Sequence, residues 1–111
     1  MAITETYGRV AALRPADTNE AELYAPASGV EFAGVLRICN QDTVNRTYKV
    51  AHTDAAGAAA GEDWEACDTV ILAKKTHEMS VAMKNPETIR VQASVADKIS
   101  FLLSGLTKTT S

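Results

Sequence analysis

Apolar and polar residues alternate along most of this chain with the period of a strand. Val30, Phe32, Leu36 and Ile38 fall on one side of residues 30–39, with Glu31 and Arg37 on the other. Residues 88–95 show the pattern most plainly, Ile89, Val91, Ala93 and Val95 alternating with Thr88, Arg90, Gln92 and Ser94. Successive side chains of a strand point to opposite faces, so each run offers one face to a core and one to water. The same reading predicts strands over 21–26, 46–52, 68–73, 77–83 and 99–106, with Tyr48, Val50, Ile99, Phe101 and Leu103 inward and His77, Met79, Val81 and Met83 together on one side of 77–83. Turn chemistry separates them at Pro26–Gly29, Asn40–Thr43, Lys74-Lys75, Asn85-Pro86 and Ala96–Lys98. Gly34 interrupts an inward row and marks a bulge or a close approach of two backbones.

The pattern therefore predicts an all-β fold, an immunoglobulin-like antiparallel β-sandwich of about seven strands with an extended N-terminal arm. Two packed sheets are expected because a single sheet would leave one apolar face uncovered. The arm spans residues 1–19, the sandwich 20–107 and a polar tail 108–111. Pro15 and Asp17-Thr18-Asn19 close the arm. It is either a strand docked on the domain or a segment that reaches a neighbour. Residues 53–66 read as a long loop rich in Ala and Gly, with Trp64 pinning its far end.

Composition narrows the function. The 111 residues carry a formal net charge of −3, which argues against nucleic acid as a partner, since phosphate neutralisation needs a basic surface. No apolar run is long enough to span a membrane as a helix, and residues 1–5 lack the pattern of a Sec-type signal. There is no His-Glu-x-x-His, Cys-x-x-Cys, Gly-x-Ser-x-Gly or phosphate-loop motif, so neither a cofactor nor an enzymatic activity is expected.

Several stretches taken in order resemble a known family. They are Leu23–Gly29 (Leu-Tyr-Ala-Pro-Ala-Ser-Gly), Val35–Asn40 ending in Cys-Asn, Asn45–Ala51, Ile89–Ser94 and Ser100–Gly105. The series is similar to small tailed-bacteriophage virion proteins, β-sandwiches found as head-decoration, neck or tail-associated components. The acidic loop 53–66 departs from that pattern. The resemblance implies a virion location after assembly in the host cytoplasm, with other virion proteins (major capsid, neck or tail) as partners and self-association into a homo-oligomer. Head decoration is the favoured position, and a neck, collar or tail-fibre role is the alternative. A carbohydrate-binding module is a reading from another class, with Trp64, Tyr7 and Tyr24 as the aromatics available to stack on sugars.

The candidate interface comprises Tyr7, Val10 and Leu13 of the arm with Val35, Leu102 and Leu106, which the alternation places outside the core. Cys39 and Cys67 are either free thiols or a disulfide, and a reducing cytoplasm favours the thiols. Glu62, Asp63 and Glu65 form an acidic region without a calcium-loop spacing, and Lys74 and Lys75 a basic one. Such a pair suits electrostatic contact between subunits. His52 and His77 have no spaced partner and read as surface residues at strand ends or edges.

Overall fold

The computed structural model of the protein describes residues 3–55 and 57–110. Met1, Ala2, Ala56 and Ser111, which belong to the expected arm, loop and tail, lie outside the described residues. Among the described residues eight strands form: β1 (Ile3–Leu13), β2 (Ala21–Tyr24), β3 (Val30–Asn40), β4 (Arg46–Thr53), β5 (Trp64–Ile71), β6 (Thr76–Lys84), β7 (Thr88–Ala93) and β8 (Ile99–Thr110). A 3-10 turn, Gly61–Asp63, precedes β5.

The strands make two four-stranded sheets, sheet A in the order β1-β8-β3-β6 and sheet B in the order β2-β7-β4-β5. All pairings are antiparallel. First pairs with last, second with seventh, third with sixth and fourth with fifth, as in one long hairpin rolled across two layers. That is the jelly-roll arrangement. The expected two-sheet antiparallel sandwich is what forms; its likeness to an immunoglobulin domain is one of size and layering, and its connectivity is that of a jelly roll.

The strand beyond the seven expected is the N-terminal segment, β1, which takes the docked alternative. β1 pairs with β8 from Ile3↔Thr110 to Leu13↔Phe101, with a bulge between Arg9 and Ala11. The polar end of the chain, as far as Thr110, continues β8. Thr107, Thr109 and Thr110 are β-branched and suit the half-wet ladder that β1 provides.

The core lies between the sheets. Leu36, Ile38, Ile99, Phe101 and Leu103 of sheet A are sealed from solvent, as are Val50 and Val91 of sheet B. Each such side chain contributes about 1.5–3 kcal/mol by leaving water. Aromatic contacts tie the layers: Tyr24 meets Phe32 edge-on at 5.7 Å, and Tyr48 meets Phe101 at 6.4 Å. Burial raises the phenol pKa of both tyrosines above the ordinary value, so they stay neutral. The Tyr48 hydroxyl also hydrogen-bonds His77 Nδ1 at 2.9 Å across the sandwich.

Gly34 is the close approach that the sequence marks. It sits opposite Gly105, which sits opposite Gly8, so three glycines cross β3, β8 and β1 in one line. A Cβ on Gly34 would meet Gly105 Cα at 2.7 Å and Phe32 Cζ at 2.8 Å and would overlap the Ser104 carbonyl oxygen. Beyond this line Phe32 of β3 and Met83 of β6 still belong to the core, whereas the β1 end of the sheet runs past it. Residues 3–9 of β1 are exposed, and the molecule measures 50 × 27 × 20 Å.

Asn40 fixes the opposite end. It is fully buried, and its Nδ2 donates to the carbonyls of Val44 (2.9 Å) and Ile71 (3.1 Å) while its Oδ1 accepts from Asp42 N (2.9 Å). One side chain thus welds the β3–β4 turn to the end of β5, with its main bonding capacity met.

Candidate assembly surface

The outer face of sheet A is assembled by register. Residues opposite one another in antiparallel strands share a face. Phe32, Leu36 and Ile38 are buried, so Glu31, Ala33, Val35 and Arg37 point outward. Tyr7, Leu106, Ala33 and Ala82 then form one row across β1, β8, β3 and β6. The row beyond it reads Glu5, Lys108, Glu31, Lys84. On the other side follow Arg9, Ser104, Val35, Ser80 and then Ala12, Leu102, Arg37, Glu78.

Four of the six expected interface residues, Tyr7, Val35, Leu102 and Leu106, therefore share this one face. Among the described residues Tyr7 is the most exposed of the large apolar side chains, at 80%. The other two differ. Leu13 and Val10 are half-buried and pack against the core. Leu13 sits opposite the inward Phe101, and Val10 occupies the bulge. The bulge shifts the alternation of β1 by one residue, which a strict period of two does not anticipate.

Beside Ala33 and Ala82 the surface dips. A concavity of about 400 Å³ is lined there by Phe32, Ala33, Ala82, Met83 and Leu106, with Glu31, Lys84, Glu87 and Lys108 also bordering it. The two small alanines leave room that larger residues would fill. Arg37 and Glu78 pair across strands at 3.6 Å, both more than half exposed, a contact worth only about 0–1 kcal/mol.

The acidic and basic regions lie at opposite ends of the β4–β5 hairpin. Glu62, Asp63 and Glu65 cluster where β4 ends and β5 begins. Lys74 and Lys75 follow Ile71, which pairs with Arg46 at the other end. Eight residues of β4 separate the two by about 23–27 Å. At the acidic end a cleft of about 300 Å³ is bordered by His52, Asp54, Glu62, Asp63, Glu65 and Glu87. Burial alone would raise the Glu87 pKa. The Lys84 amide, the His52 Nε2 hydrogen bond at 3.1 Å and the nearby charges of His52 and Lys84 outweigh it, and the carboxyl sits below its ordinary value. Glu20 accepts from Arg90 Nε at 3.0 Å and from Ala59 N, which anchors the loop before β5. At the basic end Lys74 Nζ donates to the Gln41 carbonyl at 2.7 Å, so it is partly spoken for, and Lys75 is exposed.

Both cysteines are free thiols. Cys39 is half-buried on β3 of sheet A and Cys67 is exposed on β5 of sheet B. Trp64 is half-buried with the Lys49 ammonium 5.4 Å from its ring centroid, and Tyr24 is engaged with Phe32. Of the three aromatics considered for sugar stacking, Tyr7 alone presents most of its surface to solvent. Among the described residues no three or more His, Cys, Asp or Glu side chains are grouped to hold a metal ion. No helix among them is long and apolar enough to cross a membrane.

Exposed Val44, Val70 and Leu72 escape the sequence reading. Residues 68–73 look like one continuous apolar strand, whereas β5 runs from Trp64 to Ile71 and only Ile71 of its apolar end turns inward. Asp68 at φ 49° breaks the regular strand geometry, and no periodicity signals it.

No family model matches the chain, and no curated protein does. Five chains of known structure resemble it. One is the crystal structure of the CBM22-1 and GH10 modules of the Clostridium thermocellum N-terminal endo-1,4-β-D-xylanase 10B in complex with xylohexaose. It is 16% identical, with a TM-score of 0.36, and the match covers 83% of this chain and 19% of that one. This chain thus spans about a fifth of that protein's length, and a likeness so slight decides neither fold nor function.

Proposed function

We propose that this chain is a non-enzymatic structural protein of a bacteriophage virion that binds other virion proteins in symmetric copies, with head decoration as its favoured position and a neck, collar or tail-fibre-associated position as the alternative. The observation that carries the reading is the outer face of sheet A. Tyr7, Leu106, Val35 and Leu102 stand there on the side of the sheet that faces away from sheet B, bordered by charge. An apolar patch with a polar rim suits a protein–protein contact. The ordered resemblance of residues 23–105 to small phage virion proteins supports the particle as the setting. Repetition by symmetry makes a modest contact effective, because each engaged copy raises the local concentration of the next.

Co-sedimentation with purified particles tests it, comparing wild type with Leu106→Asp. The wild type should pellet with particles, and the variant, folded by circular dichroism, should stay in the supernatant. Equal pelleting of both would remove this face from the mechanism. Wild type that never pellets would overturn the virion reading. Glycan-array binding lost on Tyr7→Ala would replace it with the carbohydrate-binding one.

A further inference from the structure

We infer that the outer face of sheet A joins two copies of this chain face to face, about a two-fold axis that lies in the interface and runs along the strands between β8 and β3. The inference rests on the reading of this face as an assembly surface and names its occupant. A two-fold contact is isologous, so the same patch must complement itself when reversed. The register of sheet A allows that to be tested row by row.

The charged row runs Glu5, Lys108, Glu31, Lys84 across the four strands, alternating in sign. Among the described residues none of the four takes part in an ion pair within the chain. Rotation about the stated axis lays β1 over the second copy's β6 and β8 over its β3. Glu5 then faces Lys84 and Lys108 faces Glu31 in both directions, which gives four opposite-charge contacts and no like-charge one. An alternating row of even length has this property, and a row of one sign would not.

The next row carries the shape. Its order is large, large, small, small: Tyr7, Leu106, Ala33, Ala82. The same rotation sets Tyr7 over Ala82 and Leu106 over Ala33. The concavity of about 400 Å³ beside Ala33 and Ala82 receives the exposed Tyr7 ring of the other copy. Knob and hole lie on opposite edges of one sheet, which a two-fold axis through its middle brings together twice. Strand spacing and rise give these two rows a footprint of roughly 250–300 Å² per copy, and about 500 Å² when the farther rows, which set Val35 over Ser104 and Leu102 over Arg37, are included, the low end of what a specific interface needs. The dimer is therefore concentration-dependent, and salt weakens it.

Sedimentation velocity from micromolar to millimolar concentration tests the inference on the full chain. Wild type should pass from monomer to dimer, and Tyr7→Ala should remain monomeric over the same range. Glu31→Lys and Lys108→Glu each place like charges at two symmetric contacts and should weaken association at least about tenfold. An equimolar mixture of these two variants should form a heterodimer, because the lysine introduced at position 31 of one chain then faces the glutamate introduced at position 108 of the other. The double variant in one chain should dimerise like wild type. Loss of a contact within the chain would explain weakened single variants but not recovery in the mixture. A wild type that stays monomeric, single variants that dimerise as well as wild type, or a mixture that fails to pair would each overturn the inference. Particle co-sedimentation separates the two readings: a monomer that still binds particles sinks only the dimer, and a dimer that never binds them sinks only the virion role.

Discussion

Replacing Gly34 by Ala probes the line of glycines at which β3 and β8 approach closely. The added methyl group would point to the inner face. It would lie 2.7 Å from Gly105 Cα and 2.8 Å from Phe32 Cζ and would overlap the Ser104 carbonyl oxygen. Carbon atoms in contact prefer about 3.5–4.0 Å, so β3 and β8 must part by close to an ångström. Phe32 can swing aside, but two of the three obstacles are backbone. Overpacking of this kind costs about 1–3 kcal/mol, and a weakened ladder hydrogen bond adds about 0.5–1.5 kcal/mol. Lower entropy of the unfolded chain returns about 0.4–1 kcal/mol. The net loss is about 0.5–4 kcal/mol and centres near ~2 kcal/mol, a fall in melting temperature of roughly 8–16 °C at about 4–8 °C per kcal/mol. Differential scanning calorimetry measures it. Gly61→Ala is the control, since a Cβ there meets nothing within 4 Å and Gly61 lacks the left-handed φ that would strain a side chain. A Gly34→Ala protein that melts within two degrees of Gly61→Ala would show that the strands are not pressed together at this point.

Three further substitutions address the core, the turn and the acidic end. Val91→Asp buries a carboxylate at a fully sealed position and should abolish cooperative unfolding; a folded variant in calorimetry would refute the inward register of β7. Asn40→Ala strips partners from two carbonyls and one amide and should cost about 2–4 kcal/mol in urea titration, the upper part reflecting several groups left unpaired; a loss under about 1 kcal/mol would mean that the turn is held by other contacts. Glu87 has a folded-state pKa below its ordinary value of 4.5, so its contribution is present above the unfolded value and is lost as pH falls through the folded one. Melting temperature of the wild type should therefore drop across the acidic carboxylate range more steeply than that of Glu87→Gln, and parallel curves would contradict the assignment.

Strand positions are legible in the sequence wherever one face meets the core. Phe32, Leu36, Ile38, Val50, Ile89, Val91, Phe101 and Leu103 all lie inside as their alternation requires, because burial of one face imposes a period of two. The ends of the chain are harder. Residues 3–9 are exposed and their partners 104–110 are at most half-buried, so alternation carries little information there. Connectivity is not legible either, since a hydrophobic pattern fixes which face a strand buries and not which strand lies beside it. The outer patch is readable in part. Leu102 and Leu106 betray themselves as apolar residues out of phase, whereas Ala33, Ala82 and the alternating charges gain meaning only from the register that aligns them. The bulge between Arg9 and Ala11 moves Leu13 inward by a local irregularity that sequence does not encode at single-residue resolution.

Whether the outer face of sheet A holds this chain in a particle is the central question. Quantitative mass spectrometry of purified virions, from cells making wild type or Leu106→Asp, counts the copies directly. The expected result is a fixed symmetric copy number for the wild type, in the hundreds for a shell position or roughly six to twelve for the neck or tail, as symmetric assembly requires, and near-complete loss for the variant. Purified particles with no trace of the chain, or with equal amounts of both proteins, would contradict it.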